Sequence, residues 1–131
     1  MLRRISTILL AMFFIPAGAN HFVNPQMYLS VMPQYLPFPE ALNYISGAAE
    51  IVGGAAVIIP QLRRAAGWGL IALLIAVFPA NVHMALYGIS GVSIARWILC
   101  LRLPFQLVLI AWVAWTCLPA GNQKRPFNPR A

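Results

Sequence analysis

Four long apolar stretches constrain this chain more than anything else in it. They run from about Ile5 to Phe22, Ala41 to Ile59, Gly67 to Tyr87 and Trp97 to Leu118. Each is close to the roughly 20 residues needed to cross about 30 Å of hydrocarbon. Lipid offers the backbone no hydrogen-bond partners, so stretches of this length must satisfy themselves as helices. Composition excludes the soluble alternative. The 131 residues are 61% hydrophobic and 8% charged, whereas soluble domains are usually about 25% charged. Mean hydropathy is +0.78, which leaves too little polar surface to cover a water-soluble globule. The expected fold class is therefore an all-α membrane protein, a bundle of four transmembrane helices forming one domain over residues 1–131.

Orientation follows from the basic residues. Arg3 and Arg4 precede the first stretch, Arg63 and Arg64 separate the second from the third, and Lys124, Arg125 and Arg130 lie in the tail, residues 119–131. With four spans these groups share one side, which holds seven of the nine basic residues and is expected to be cytoplasmic. Both termini then face inward. The opposite side has Arg96 near its surface and Arg102 further into the fourth span. The connection over residues 23–39 is expected to be extracytoplasmic. Pro25, Pro33, Pro37 and Pro39 forbid a long helix there. Met27, Tyr28, Leu29, Val31, Met32, Tyr35 and Leu36 keep it apolar, so it is expected to lie in the interface or fold over the mouth of the bundle. A competing reading takes Arg3-Arg4, the first apolar run and Ala17-Gly18-Ala19 as a cleavable signal peptide, which would leave three spans.

The net charge of +7 and pI of about 10.5 do not indicate nucleic acid. The basic residues flank apolar runs, as topogenic charges and anionic headgroups require, and no recognition motif is present. Trp68, Trp97, Trp112 and Trp115 lie near span ends, as interfacial anchors do, and Met12-Phe13-Phe14 reads as lipid-facing or packing residues. Cys100 and Cys117 sit 17 positions apart on one expected helix, about 25 Å along its axis at 1.5 Å per residue. They cannot bridge each other within it and read as small core residues. Two histidines and a carboxylate could form a facial triad, but no H-x-x-x-H or E-x-x-H spacing occurs, so a metal site is not expected.

Ionisable groups at membrane depth are costly and usually face a bundle interior or a cavity. Here they share a level. Asn20 and His21 end the first span, Glu50 lies near the middle of the second, Asn81 and His83 lie in the outer half of the third, and Arg102 and Gln106 lie in the outer half of the fourth. Asn43, Gly47, Glu50 and Gly54 recur on one helical stripe, and its glycines let a neighbouring helix approach closely. Arg102 and Gln106 are i, i+4 and share a face, with Pro104 between them loosening the local ladder. Asn81 and His83 are two apart, so only one of them is expected to line a common site. These residues predict a buried Glu50–Arg102 ion pair supported by Gln106 and by Asn81 or His83, with His21 near the rim. Such a pair either holds the bundle together or lines a pocket that binds an amphipathic molecule or moves protons.

An ordered series of short motifs carries a resemblance. Ala17-Gly18-Ala19-Asn20-His21-Phe22 with Pro25 comes first, then Met32-Pro33-x-x-Leu36-Pro37. Ser46-Gly47-x-x-Glu50-x-x-Gly53-Gly54 and Pro60-x-x-Arg63-x-x-Ala66 follow. The series closes with Phe78-Pro79-Ala80-Asn81-x-x-Met84 and Arg102-Leu103-Pro104-x-Gln106. In this order the chain resembles the DoxX-like family of small four-helix membrane proteins. The resemblance implies a four-helix bundle with N-in, C-in topology. Family members are linked to thiosulfate:quinone oxidation, to redox-stress membrane complexes and to maturation of other proteins. Asn20, His21, Glu50, Asn81, Arg102 and Gln106 match the family's polar signature and are carried as site candidates without an assigned chemical role.

The functional expectation is a component or accessory subunit of a membrane redox system in a bacterial inner membrane. It would bind a quinone-like or other amphipathic molecule in the outer-half pocket. No redox cysteine pair, haem-ligand pair or nucleotide motif accompanies it, so electrons would come from a partner or a bound cofactor. The alternative is a non-catalytic module that assembles with other membrane proteins or with its own copies. A small-solute channel is a weaker third reading, because four helices leave little lumen.

Overall fold

A computed structural model describes residues 1–89 and 93–118, and the expected basic tail lies outside them. The described residues fold as six helices: α1 (Leu2–Val23), α2 (Pro25–Leu29), α3 (Pro39–Ala56), α4 (Arg63–Ala76), α5 (Phe78–Tyr87) and α6 (Arg96–Cys117). Helix α1 runs without interruption through Ala17-Gly18-Ala19. Pro16 and Pro104 lie inside α1 and α6, and neither ends its helix.

Three helices among the described residues are long and apolar enough to cross a membrane: α1, the continuous stretch of α4 and α5, and α6. They mark the chain as a membrane protein. Their outward side chains, including Ile8, Met12, Trp97, Leu101 and Val108, are apolar and exposed. An apolar surface of that extent suits lipid as the surrounding solvent. The expected second span is a helix of 18 residues, but Glu40, Asn43, Ser46 and Glu50 leave it short of the same apolarity.

Two boundaries differ from expectation. The third stretch begins at Arg63, four residues early, because Arg63 folds the preceding link onto itself. Its Nε donates to Val57 O at 2.8 Å and its Nη2 to Ile58 O at 3.3 Å. The same stretch is two helices, broken at Val77. Pro79 lacks an N–H and cannot continue the α4 ladder, but it suits the first turn of α5, where that N–H is not needed.

Packing is led by α1 against α3, with α4 against α6 and α3, and α5 against α6. The α1–α3 approach depends on glycine. A Cβ on Gly18 would sit 2.5 Å from Gly47 O, and one on Gly47 would sit 2.6 Å from His21 Cβ. Small residues allow such contact between helices that have no hydrophobic drive to associate. The buried apolar residues form two clusters. The larger joins Leu10 and Phe14 of α1 to Leu70 and Leu74 of α4 and Leu109 and Val113 of α6. The smaller joins Val31, Met84 and Leu99. The Pro-rich connection carries α2 and turns into α3 at Phe38, whose φ of 52° is a left-handed conformation that non-glycine residues seldom adopt.

Candidate functional site

Between the two apolar clusters lies a cavity of about 270 Å³, lined by members of both, Phe14, Leu74 and Leu109 from one and Val31 and Met84 from the other. Its polar wall is made by His21 of α1, Glu50 of α3, Asn81 of α5 and Arg102 and Gln106 of α6. Met27, Tyr28, Val31 and Met32 close it on the side of the Pro-rich connection.

His21 is fixed by Asn43, which is fully buried. Asn43 Nδ2 donates to His21 O at 2.9 Å, which turns its Oδ1 toward the imidazole. That oxygen lies 2.7 Å from His21 Nδ1. An amide oxygen only accepts, so Nδ1 carries the proton. In the neutral ring Nε2 is then an unprotonated acceptor, aimed at Glu50 Oε2 across 3.8 Å. Glu50 Oε2 is buried and has no hydrogen-bond partner among the described residues. This is an imidazole oriented by a hydrogen bond on one nitrogen and free for proton exchange on the other, the general arrangement of a base.

Tyr28 covers this pair. Its ring stacks on His21 with centroids 3.7 Å apart, and its hydroxyl accepts from Asn20 Nδ2 at 2.9 Å. Asn24 Nδ2 donates to Asn20 Oδ1 at 2.7 Å, which ties the start of α2 to the end of α1. Between α5 and α6 Asn81 Nδ2 donates to Gln106 Oε1 at 2.7 Å. Gln106 Nε2 donates to Leu74 O, one of the last four carbonyls of α4, which a helix end leaves without an intrahelical partner.

The expected Glu50–Arg102 ion pair is not formed. Arg102 Nη1 instead donates to Met84 Sδ at 3.3 Å, and the ion-pair distance that Glu50 makes is the one to His21. The physical reason is neighbourhood. The glycines of α3 hold Glu50 against α1, while α6 packs on α5 and turns Arg102 toward Met84. Both groups still line the one cavity. Of the two residues expected to compete for the site, Asn81 lines it and His83 does not. The His83 ring lies 4.7 Å from that of Tyr87, tilted by 45°, and its Nδ1 is buried without a partner among the described residues. Asn20 acts from behind Tyr28. Asn43 and Tyr28 are the contributors that residue depth alone did not single out. The stripe of Asn43, Gly47, Glu50 and Gly54 placed Asn43 on the Glu50 face of its helix, but not its bond to His21. Among the described residues no three His, Cys, Asp or Glu side chains are grouped to hold a metal ion.

A family described as a domain of unknown function, DUF8561, matches residues 10–117. The chain belongs to the DUF8561 family. That match spans every residue lining the cavity, from Phe13 to Leu109. No curated protein and no solved structure matches the chain. The DUF8561 fold therefore has to be interpreted from its own geometry, and the cavity is where its polar residues converge.

Proposed function

We propose that this chain is a four-span integral membrane protein, with both termini cytoplasmic, that binds a quinone-like or other amphipathic small molecule as a component or accessory subunit of a membrane redox system. The observation that carries the proposal is the cavity, where an oriented imidazole, a carboxylate and a guanidinium share one wall with apolar and aromatic side chains. Pockets that are mostly apolar with a few convergent polar groups are the usual form of small-molecule sites. In this reading His21 and Glu50 exchange protons with the ligand, Arg102 holds its carbonyl or anionic group, and the α2 segment covers the entrance. Electrons come from a partner protein. The DoxX-like resemblance of the ordered motifs belongs to the same proposal, as does placement in a bacterial inner membrane.

Helix α3 serves as the fourth span. Its 18 residues measure about 27 Å at 1.5 Å per residue, close to the hydrocarbon thickness. Asn43, Gly47 and Gly54 are buried, while Ile45 and Val52 are exposed as lipid-facing residues would be.

The test is purification in mild detergent, followed by absorbance spectra and identification of co-purifying lipids and proteins. The expected result is a near-stoichiometric amphipathic ligand in the wild type, depleted in Glu50→Gln and Arg102→Met. An empty cavity with a stoichiometric protein partner would overturn it in favour of a second reading, a non-catalytic assembly module. That reading draws on a separate apolar groove of about 330 Å³ between α3 and α4, lined by small residues such as Ala49, Gly53, Ala66 and Gly69, against which another transmembrane helix could pack.

A further inference from the structure

The cavity's free polar atoms are unevenly matched, and the mismatch defines what a ligand must bring. Asn81 Nδ2 donates to Gln106 Oε1, and Gln106 Nε2 donates to Leu74 O. His21 Nδ1 is spent on Asn43. What remains on the His21–Glu50 side is a pair of atoms, Nε2 and Oε2, 3.8 Å apart and not hydrogen-bonded to each other. With no proton between them both are acceptors. With one proton, either the imidazolium leaves a carboxylate acceptor or the carboxylic acid leaves an imidazole acceptor. In both cases the pair, on two residues that line the cavity, keeps an acceptor beside its one donor. Arg102, by contrast, has donors only, and among the described residues it donates to the Met84 sulfur, a weak acceptor.

We infer that the ligand of this cavity carries a hydroxyl hydrogen-bond donor for the His21–Glu50 pair and an oxygen acceptor for Arg102, so that its class is a hydroxylated aromatic amphiphile rather than one bearing acceptors alone. The inference rests on the small-molecule reading of the cavity and narrows it. The aromatic part follows from the walls. Phe13, Phe14, Phe105 and Tyr28 all line the space, with Phe13 edge-on to Phe14 at 5.2 Å and to Phe105 at 6.3 Å. Rings in such surroundings pack well against a further flat ring. A phenol carries both functions, since its O–H donates and its oxygen lone pairs accept. A buried acceptor left without its donor is penalised by more than the bond itself contributes, so the matching is a selectivity device. No electron transfer is needed for this selectivity.

The experiment uses the full chain in lipid nanodiscs with two probes that differ in one group, a long-chain 4-alkylphenol and its methyl ether. Saturable binding is measured against empty nanodiscs to remove partitioning into lipid. The phenol is expected to bind about tenfold more tightly, the worth of one hydrogen bond to a charged or strongly polar group. Glu50→Leu combined with His21→Phe is expected to abolish the difference by weakening the phenol and leaving the ether unchanged. Arg102→Met is expected to weaken both probes. Because the double variant removes a buried contact and can fail to fold, the wild-type comparison decides by itself. Equal binding of the two probes overturns the donor requirement while leaving a ligand cavity in place. Absence of saturable binding by either probe overturns the ligand cavity and the donor requirement together.

Discussion

Asn43 decides which nitrogen of His21 the cavity meets. Its two hydrogen bonds to His21 are both buried, so Asn43→Ala removes the partner of Nδ1 and of a backbone carbonyl together. Side-chain hydrogen bonds within membranes average about 0.6 kcal/mol and reach about 1.7 kcal/mol. Losing both is expected to cost roughly 1–2 kcal/mol in a detergent unfolding titration, at the upper part of that range because the donor on His21 is left buried. The more specific readout is nitrogen NMR of the His21 ring. Wild-type protein is expected to show Nδ1 protonated and Nε2 bare, and Asn43→Ala is expected to show a mixture of tautomers. An unchanged tautomer in the variant would mean that Asn43 does not orient the ring. Sequence patterning supplied much of this wall, because polar residues in apolar runs stand out and His21, Glu50, Asn81, Arg102 and Gln106 share one level. It did not supply the pairing. Glu50 and Arg102 have opposite charges at similar depth, and nothing in their spacing tells that glycines on α3 press Glu50 toward α1.

At the scale of elements the α1–α3 contact carries the most weight. Gly18→Ala would bring a methyl group within 2.5 Å of Gly47 O, which is backbone and cannot rotate away. Overpacking of this kind typically costs about 1–3 kcal/mol, so thermal stability in detergent is expected to fall and binding at the cavity to weaken with it. Gly69→Ala is the matched control, since no atom lies within 4 Å of the Cβ it would add. It is expected to leave both measurements unchanged. Equal losses from the two variants would show that close approach at Gly18 is not what holds α1 to α3. Asn43, Gly47 and Gly54 on one stripe announced this interface, because a period of 3.6 residues maps directly onto a helix face. The break at Val77 was less legible. Proline is tolerated in membrane helices when neighbours satisfy the freed groups, so Pro16 and Pro104 stay within continuous helices while Pro79 opens a new one.

For the whole molecule the open question is how the helices sit in the bilayer, and accessibility labelling addresses it. In a background with Cys100 and Cys117 replaced, Gln34→Cys and Arg64→Cys place thiols at exposed positions on the loop after α2 and at the start of α4. In the four-span arrangement Gln34→Cys is expected to react with an impermeant maleimide applied to intact cells, and Arg64→Cys only after the membrane is opened. Labelling of both positions from outside would leave α3 unable to be a span. Length and apolarity led to an expectation of four crossings, of which three are helices long and apolar enough to span a membrane among the described residues, and the basic flanks Arg3, Arg4, Arg63 and Arg64 gave their expected orientation. Which helices become neighbours was not legible, because lipid is as apolar as the side chains and gives no hydrophobic preference for one partner over another. Close-packing residues and a few hydrogen bonds make that choice, as Ser6 does when it meets Thr116 at 2.7 Å and Trp112 at 2.8 Å across α1 and α6.

The polar wall of the cavity draws on several helices that the chain makes at different times. His21 and Glu50 come before the turn at Val57, and Asn81 and Arg102 come well after it. Neither half of the chain holds both the acceptors and the guanidinium. A molecule retained there by both sides therefore binds only copies whose last helix has docked, and by mass action it stabilises those alone. Occupancy by the proposed ligand would then mark copies in which α6 has docked, separating them from partly inserted ones in the same membrane.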